Sequence, residues 1–168
     1  MSIVIQNLSK TFFPGTSREH MALKNVNLTI QEGDFITIVG GNGAGKSTFL
    51  NAIAGNFALD EGTISFGDKQ IEQTADYERA AYISRVFQDP MQGTAPRMTV
   101  AENLALANRR GQKRSLFNSS SKEELQQFEA LLAPLGLGLE DRLHTEIGLL
   151  SGGQRQAISL LMATMNAP

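Results

Sequence analysis

Apolar positions in the first half of the chain recur at the spacing of β-strands. Residues 3–8 are rich in β-branched side chains, and Val26, Leu28 and Ile30 alternate with polar neighbours, as in a half-buried strand. Residues 35–39 form a nearly continuous apolar run, which is typical of a strand buried on both faces of a sheet. Further strands are predicted at residues 63–66 and 82–87.

A glycine-rich loop follows directly on the apolar run and leads into a segment of helical spacing. Gly40, Gly45, Lys46 and Ser47 match the pattern G-x-x-x-x-G-K-[ST]. Glycines let successive N–H groups face phosphate oxygens, the lysine brings a charge to the β- and γ-phosphates, and the serine hydroxyl suits Mg²⁺. A glycine-rich surface turn is the alternative, but the position between a buried strand and a helix favours nucleotide binding.

The second half of the chain changes to helical spacing. Thr99 with Glu102 and Ser121 with Glu124 have the spacing of capping boxes, and each predicts a helix start. The basic stretch at 109–114 lies between these helices. It is interpreted as a solvated loop or linker, with contact to anionic lipid as the alternative.

A second glycine motif opens the last predicted helix. Ser151 and Gln154 fit a further capping box, yet Gly152 and Gly153 occupy its first turn. Each glycine costs about 1 kcal/mol of helix propensity against alanine. Bare backbone N–H groups beside the serine hydroxyl would make a second anion site, whereas a poorly formed helix entry is the alternative.

Composition narrows the classes of function. The 168 residues suit one domain, and 15 basic against 17 acidic residues give a net charge of −2, which argues against coating nucleic acid by bulk charge. There is no cysteine, so disulfides, thiolate zinc sites and cysteine nucleophiles are excluded for these residues. No apolar run is long enough for a membrane helix, and the first residues do not read as a secretory signal.

These motifs together resemble the nucleotide-binding domain of ATP-binding-cassette (ABC) proteins. GGNGAGKST is similar to their Walker A loop, VFQDP to their Q-loop and LSGGQRQ to their signature motif. The resemblance implies an α/β P-loop NTPase fold, with a RecA-like core, an antiparallel β subdomain and an inserted helical subdomain, incomplete at the C-terminus. It divides the chain into a β-rich core at 1–88, a helical subdomain at 89–150 and the signature helix at 151–168.

The resemblance also implies roles for individual residues. Phe12, or the adjacent Phe13, would stack on adenine, although an ordinary core aromatic is the alternative for Phe12. Gln88 would contact Mg²⁺ or the attacking water, so Lys46 and Gln88 carry the implied catalytic roles and Ser47 and Gln88 the metal contacts; a polar residue at a strand end is the alternative for Gln88. The residues expected to bind ATP are Phe12, Gly40, Gly41, Asn42, Gly43, Ala44, Gly45, Lys46, Ser47 and Thr48.

Partners and location follow from the same resemblance. Family members work as head-to-tail dimers, so Ser151, Gly152, Gly153 and Gln154 would act in trans on ATP held by a second nucleotide-binding domain. The expected function is the Mg-ATP-binding subunit of a transporter, cytoplasmic and peripheral on the inner membrane face, hydrolysing ATP in full-length form to power solute transport. Its partners would be transmembrane permease subunits and, in an importer, a substrate-binding protein, with no nucleic acid.

The alternatives are a soluble ABC ATPase acting on DNA or ribosomes and a non-hydrolysing ATP-binding module. The first would need a long coiled coil or a second cassette, and neither occurs between the two glycine motifs.

The sequence departs from the family pattern after the signature. No Asp or Glu follows Gln154, and His20 and His144 both precede the signature, so neither can be the family's switch histidine. We therefore expect a chain cut before the Walker B strand, able to bind ATP but not to hydrolyse it at a useful rate. We also expect residues 35–39 to expose a strand edge and apolar faces, and the 168 residues to be poorly stable alone.

Overall fold

The computed structural model describes residues 2–111 and 121–165, in two compact units, Met1–Arg79 and Ala80–Pro168. This division falls upstream of residue 88, where the sequence places the end of the β-rich core. The finer partition of the chain into core, helical subdomain and signature helix stays a prediction.

The first unit is built on a four-stranded sheet in the order β2-β1-β3-β4. Its strands are β1 (Ile3–Phe12), β2 (His20–Ile30), β3 (Glu61–Phe66) and β4 (Lys69–Gln70), all paired antiparallel. The predicted alternation in β2 is confirmed, since Val26, Leu28 and Ile30 are half-buried and the residues between them are exposed. Ile5, Leu8 and Ile64 are fully buried, and burying such a side chain stabilises the fold by about 1.5–3 kcal/mol.

Two helices complete this unit, α1 (Lys46–Ala54) and α2 (Asp76–Arg79). The helical spacing after the glycine-rich loop predicts α1. Gly55 ends α1 in the left-handed conformation at φ 85°, and its N–H donates to the carbonyl of Ala52 at 3.2 Å. Phe49 and Ala52 are the buried residues of α1, and the helix packs on β2.

The second unit is helical, with α3 (Val100–Asn108), α4 (Lys122–Leu132) and α5 (Gly152–Thr164). Short 3-10 helices lie at Pro90–Gly93, Ala133–Leu135, Glu140–Arg142 and Ile147–Leu149. A continuous apolar core joins the elements; it contains Val100, Ala101, Leu104, Ala105, Phe128, Leu132, Leu139, Leu143, Ile147, Leu150 and Ile158.

The predicted helix starts of this unit are confirmed. Thr99 and Glu102 form a complete capping box on α3. Ser121 caps α4 through the Glu124 N–H at 3.2 Å, while the Glu124 carboxylate accepts a hydrogen bond from Arg109 at 3.0 Å instead of closing a box.

The prediction of strands at residues 35–39 and 82–87 is wrong for the described part of the chain. Neither segment forms a strand, and neither has a β-ladder partner within residues 2–111 and 121–165. The apolar run at 35–39 is exposed as expected: Phe35 is 95% and Val39 88% exposed. A strand is defined by the neighbour that accepts its hydrogen bonds, and β-propensity alone does not supply one.

The basic stretch between α3 and α4 is described only as far as Gly111. Arg109 pairs with Glu124, and Arg110 donates to the Ser84 hydroxyl at 2.6 Å and the Met162 carbonyl at 2.9 Å. Its remainder, and the last three residues of the α5 segment, lie outside the described residues. His144 is exposed in a turn.

Candidate functional site

The phosphate loop at residues 40–48 has the backbone that its glycines predict. Gly43 and Gly45 both adopt φ 81°, a left-handed conformation that favours glycine. Gly45 is the N-cap of α1, and no side chain caps that helix start. The first N–H groups of α1 and the positive end of its dipole are therefore directed into the loop, which is the arrangement that binds phosphate oxygens.

Gly45 is also required by packing. A Cβ at this position would lie 2.5 Å from the carbonyl oxygen of Ala22 in β2. The loop thus presses its backbone against β2, and this contact fixes where α1 begins.

Lys46 folds back over the loop. Its Nζ donates to the carbonyl of Gly40 at 2.6 Å and to that of Gly41 at 2.7 Å. The two carbonyls are neutral and do not cancel the ammonium charge, so Lys46 leaves a positive charge at the loop for a phosphate to approach. Ser47 is exposed beside it. The serine hydroxyl is a hard oxygen donor of the kind that Mg²⁺ takes together with phosphate oxygens.

The opposite end of α1 is bound by a residue that the sequence analysis missed. Arg79 is 2% exposed, and its Nη1 donates to the carbonyls of Ala52 and Ile53, each at 2.9 Å. A cation at a helix C-terminus is favourable, because the last carbonyls of a helix lack a full set of intrahelical donors; that of Ala52 also accepts from the Gly55 N–H at 3.2 Å. Gly55 leaves room for the guanidinium, because a Cβ there would be 2.8 Å from Arg79 Nε. No local pattern signals this contact.

The predicted adenine-stacking aromatics lie at the end of β1. Phe12 is half-buried, and its ring meets that of Phe57 at 5.4 Å between centroids and an interplanar angle of 79°. Phe13 is 62% exposed at φ 53°, where the chain leaves the strand. Phe12 and the phosphate loop belong to the same compact unit. The contact of Phe12 with Phe57 is not indicated by the sequence.

Gln88 lies in the second unit, in a bend just before the 3-10 helix Pro90–Gly93, and it is exposed. Asp89 caps this short helix by accepting from the Met91 N–H at 2.9 Å. The amide oxygen of Gln88 is a hard donor that fits Mg²⁺, and its role stays a prediction.

The signature motif forms the start of α5. Ser151 and Gln154 make both hydrogen bonds of the predicted capping box, at 3.3 and 3.1 Å. A Cβ on Gly152 or Gly153 would have no atom within 4 Å. The packing of this chain therefore does not require either glycine, and their exposed backbone is free for close approach by a group from outside.

A buried amide joins the segment after the Q-loop to α3. Asn103 is 1% exposed, and its Oδ1 accepts from the Ala95 N–H at 2.8 Å. Its Nδ2 donates to the carbonyls of Ala95, Met98 and Thr99 at 3.1, 3.3 and 2.9 Å. The loop at 94–99 is thus fixed on α3 by one side chain, which the sequence analysis did not single out.

The same loop is bonded to the segment that precedes the signature. The N–H groups of Ile147 and Gly148 donate to the carbonyls of Met98 and Pro96 at 3.1 and 2.9 Å. The backbone packs closely at Gly148, where a Cβ would lie 3.0 Å from the Pro96 oxygen. The loop after Gln88 and the segment before Ser151 therefore form one hydrogen-bonded piece.

Within residues 2–111 and 121–165, no helix is long and apolar enough to cross a membrane. In that same part of the chain, no group of three or more His, Asp or Glu side chains is placed to hold a metal ion.

A glycine loop that delivers its backbone and a lysine to the N-terminus of a helix defines a P-loop nucleotide-binding protein. A profile of the ABC transporter family matches residues 23–168. The chain belongs to this family, and its fold class is accordingly that of the ABC ATPase cassettes, as the sequence predicts.

Two curated relatives illustrate the similarity. The tyrosine transport ATP-binding protein of Clostridioides difficile is 40% identical over 164 residues, which cover 98% of this chain and 65% of that protein. The sulfate/thiosulfate import ATP-binding protein CysA of Halalkalibacterium halodurans is 37% identical over 100% of this chain and 43% of its own length. The chain thus spans less than two thirds of these relatives.

Solved structures of ATP-binding cassettes are also similar to this chain. The dimeric, post-hydrolysis structure of the ATP-binding cassette MJ0796, bound to ADP and Pi, superposes with a TM-score of 0.78 at 30% identity, covering 98% of this chain and 69% of that one. A second dimeric structure of MJ0796, described as a bacterial ABC transporter cassette, gives a TM-score of 0.77 at 32% identity.

Proposed function

We propose that the chain is the ATP-binding part of the ATPase subunit of an ABC importer, and that the whole protein hydrolyses Mg-ATP to drive uptake. The observation that carries the proposal is the phosphate loop: left-handed glycines, an uncapped N-terminus of α1 and Lys46 at its first position. The names of the relatives, which are ATP-binding proteins of transport systems, support the same function.

Nucleotide titration tests the proposal. The protein should bind Mg-ATP, and Lys46→Ala should weaken binding at least tenfold, because one charge-assisted contact to phosphate contributes about 1.5–3 kcal/mol. Ser47→Ala should weaken the binding of ATP in the presence of Mg²⁺ more than the binding of ATP without the metal. An unchanged affinity in Lys46→Ala would contradict the proposal.

We further propose that the signature acts on a second copy of the chain. Ser151, Gly152 and Gly153 are exposed, and a side chain at either glycine would meet nothing of this chain, which supports a site completed by a partner. Two of the similar structures, both of MJ0796, are dimeric, which supports pairing of two copies. Gly153→Asp places a charge where a partner's phosphate would lie. It should keep ATP binding by the single chain and abolish ATP-dependent dimerisation in analytical ultracentrifugation.

The transported solute is proposed from the relatives alone. Identity of 40% to a tyrosine transport protein favours an amino acid with an aromatic side chain, and the relative that imports sulfate offers the contrasting outcome. Uptake of labelled tyrosine and of labelled sulfate should be compared in cells with and without the gene. The permease and any solute-binding protein would be recovered with the tagged subunit from detergent extracts.

A further inference from the structure

Three residues cluster around Phe12, the predicted adenine-stacking residue. They are Lys10, Phe57 and Asp60, and all four residues belong to the first compact unit. Phe12 and Phe57 meet nearly perpendicular, with centroids 5.4 Å apart. This edge-to-face geometry is the favourable one for an aromatic pair, and it restricts rotation of both rings.

Lys10 adds a cation to both rings. Its Nζ lies 5.7 Å from the centroid of Phe12 and 5.6 Å from that of Phe57, within the range of cation–π attraction. The same Nζ is 2.7 Å from Asp60 Oδ1. Lys10 is only 15% exposed at its side chain, so the ion pair keeps the ammonium group over the rings.

Asp60 also binds the strand that carries Phe12. Its second carboxylate oxygen accepts a hydrogen bond from the backbone N–H of Thr11. The hydrogen bonds from Lys10 and from the Thr11 N–H lower the pKa of the Asp60 carboxyl, so it is charged at neutral pH. One carboxylate thus fixes the backbone next to Phe12 and the cation that covers its ring.

We propose that Phe57 and the Lys10–Asp60 pair are positioning residues for the base of the nucleotide. They hold the Phe12 ring in one orientation before the base arrives. The inference rests on the proposed function and extends it to specific residues outside the glycine motifs. A side chain that is already ordered loses less conformational entropy when a ligand stacks on it, and the smaller entropic cost makes binding tighter.

The test separates the contribution of the base from that of the phosphates. Dissociation constants for Mg-ATP and for Mg-tripolyphosphate, which has no base, are measured on the protein and on Phe57→Leu and Asp60→Asn. Both variants should bind ATP about three- to tenfold more weakly, as expected for losing the order of one or two side chains, and tripolyphosphate equally well. Tyr77→Leu removes an aromatic ring that is 69% exposed in the same unit, and it should change neither constant.

The possible outcomes distinguish a failure of the proposed function from a failure of the positioning role. Lys46→Ala should weaken both ligands, and if the unaltered protein binds neither, the proposed function fails together with this inference. If ATP binds and Lys46→Ala weakens both ligands, but the ratio of the two constants is unchanged in both variants, the positioning role is refuted and the proposed function stands. Loss of the base contribution in Phe13→Ala alone would place the base on Phe13 and overturn the inference. Asp60→Asn is the milder variant, because Asp60 is 40% exposed, so it reports even if Phe57→Leu does not fold.

Discussion

Replacing Asn103 by leucine should destabilise the second unit by about 1–3 kcal/mol. Leucine has the same number of side-chain heavy atoms but offers no hydrogen-bond partner to the backbone at 94–99. The Ala95 N–H, now bonded at 2.8 Å, would lose its acceptor. The carbonyls of Ala95 and Thr99 would lose the amide but keep the N–H groups of Met98 and Asn103, each at 3.0 Å. One backbone donor left unpaired in a buried place costs about 1–3 kcal/mol, which sets the expected loss.

Two measurements check this prediction. Urea unfolding should show the loss in stability, and hydrogen exchange should become faster at the amide of Ala95 in Asn103→Leu. Leu106→Ala is the matched control, since Leu106 lies on the same helix, is 56% exposed and should change stability by no more than about 0.5 kcal/mol. If Asn103→Leu unfolds like this control, or if exchange at Ala95 keeps its rate, the amide does not fix the loop.

Three further predictions concern the first unit. Gly45→Ala should lower stability by about 2 kcal/mol or more, because it adds a left-handed non-glycine residue and a Cβ 2.5 Å from the Ala22 oxygen, whereas Gly41→Ala, with nothing within 4 Å, should unfold like the unaltered protein in urea. Arg79→Met should cost about 1–3 kcal/mol, because the Ile53 carbonyl at the end of α1 would lose its guanidinium donor and the Ala52 carbonyl would keep only the Gly55 N–H, and amide exchange in α1 should accelerate; protection unchanged from that of the unaltered protein would refute this. Since its hydrogen bonds lower the pKa of Asp60, the stability that Asp60 contributes is present above about pH 4 and lost as the pH falls through the lowered value, so the difference in stability between the protein and Asp60→Asn should shrink as the pH falls below about 4, and a constant difference would contradict it.

Local hydrogen bonding made the ends of the helices predictable. The capping residues Thr99 and Ser151 lie three positions from their partners, and Gly55 ends α1 through its own backbone conformation. All residues of each capping signal lie within one helical turn of one another, so the signal can be recognised in the sequence alone. The phosphate loop was predictable for the same reason, because its glycines and lysine are consecutive.

Strands depend on partners elsewhere, and there the sequence misleads. Residues 35–39 have the composition of a buried strand, yet in the described residues no neighbouring strand pairs with them. By contrast the predicted strand β1 is confirmed, because β2 and β3 pair with it on either side. The composition of a segment shows that it is compatible with burial in a sheet. Whether it forms a strand depends on hydrogen bonding to a neighbouring strand.

The contacts that support the site join residues far apart in sequence. Arg79 bonds carbonyls 26 and 27 positions away, and Asp60 lies 50 positions from Lys10. No periodicity or motif links such positions. Asn103 shows the same limit at shorter range, because an asparagine in a helix ordinarily indicates a weak helix former, and only its burial reveals that it satisfies four backbone groups.

The hydrogen bonds from Gly148 to Pro96 and from Ile147 to Met98 close a loop of about fifty residues around the helical core, and the entropy of closing such a loop grows only with the logarithm of its length. The connection between α3 and α4 lies inside that loop. Doubling the length of such a loop would add only about 0.6 kcal/mol to the cost of closing it, so these two hydrogen bonds depend little on how many residues separate their ends.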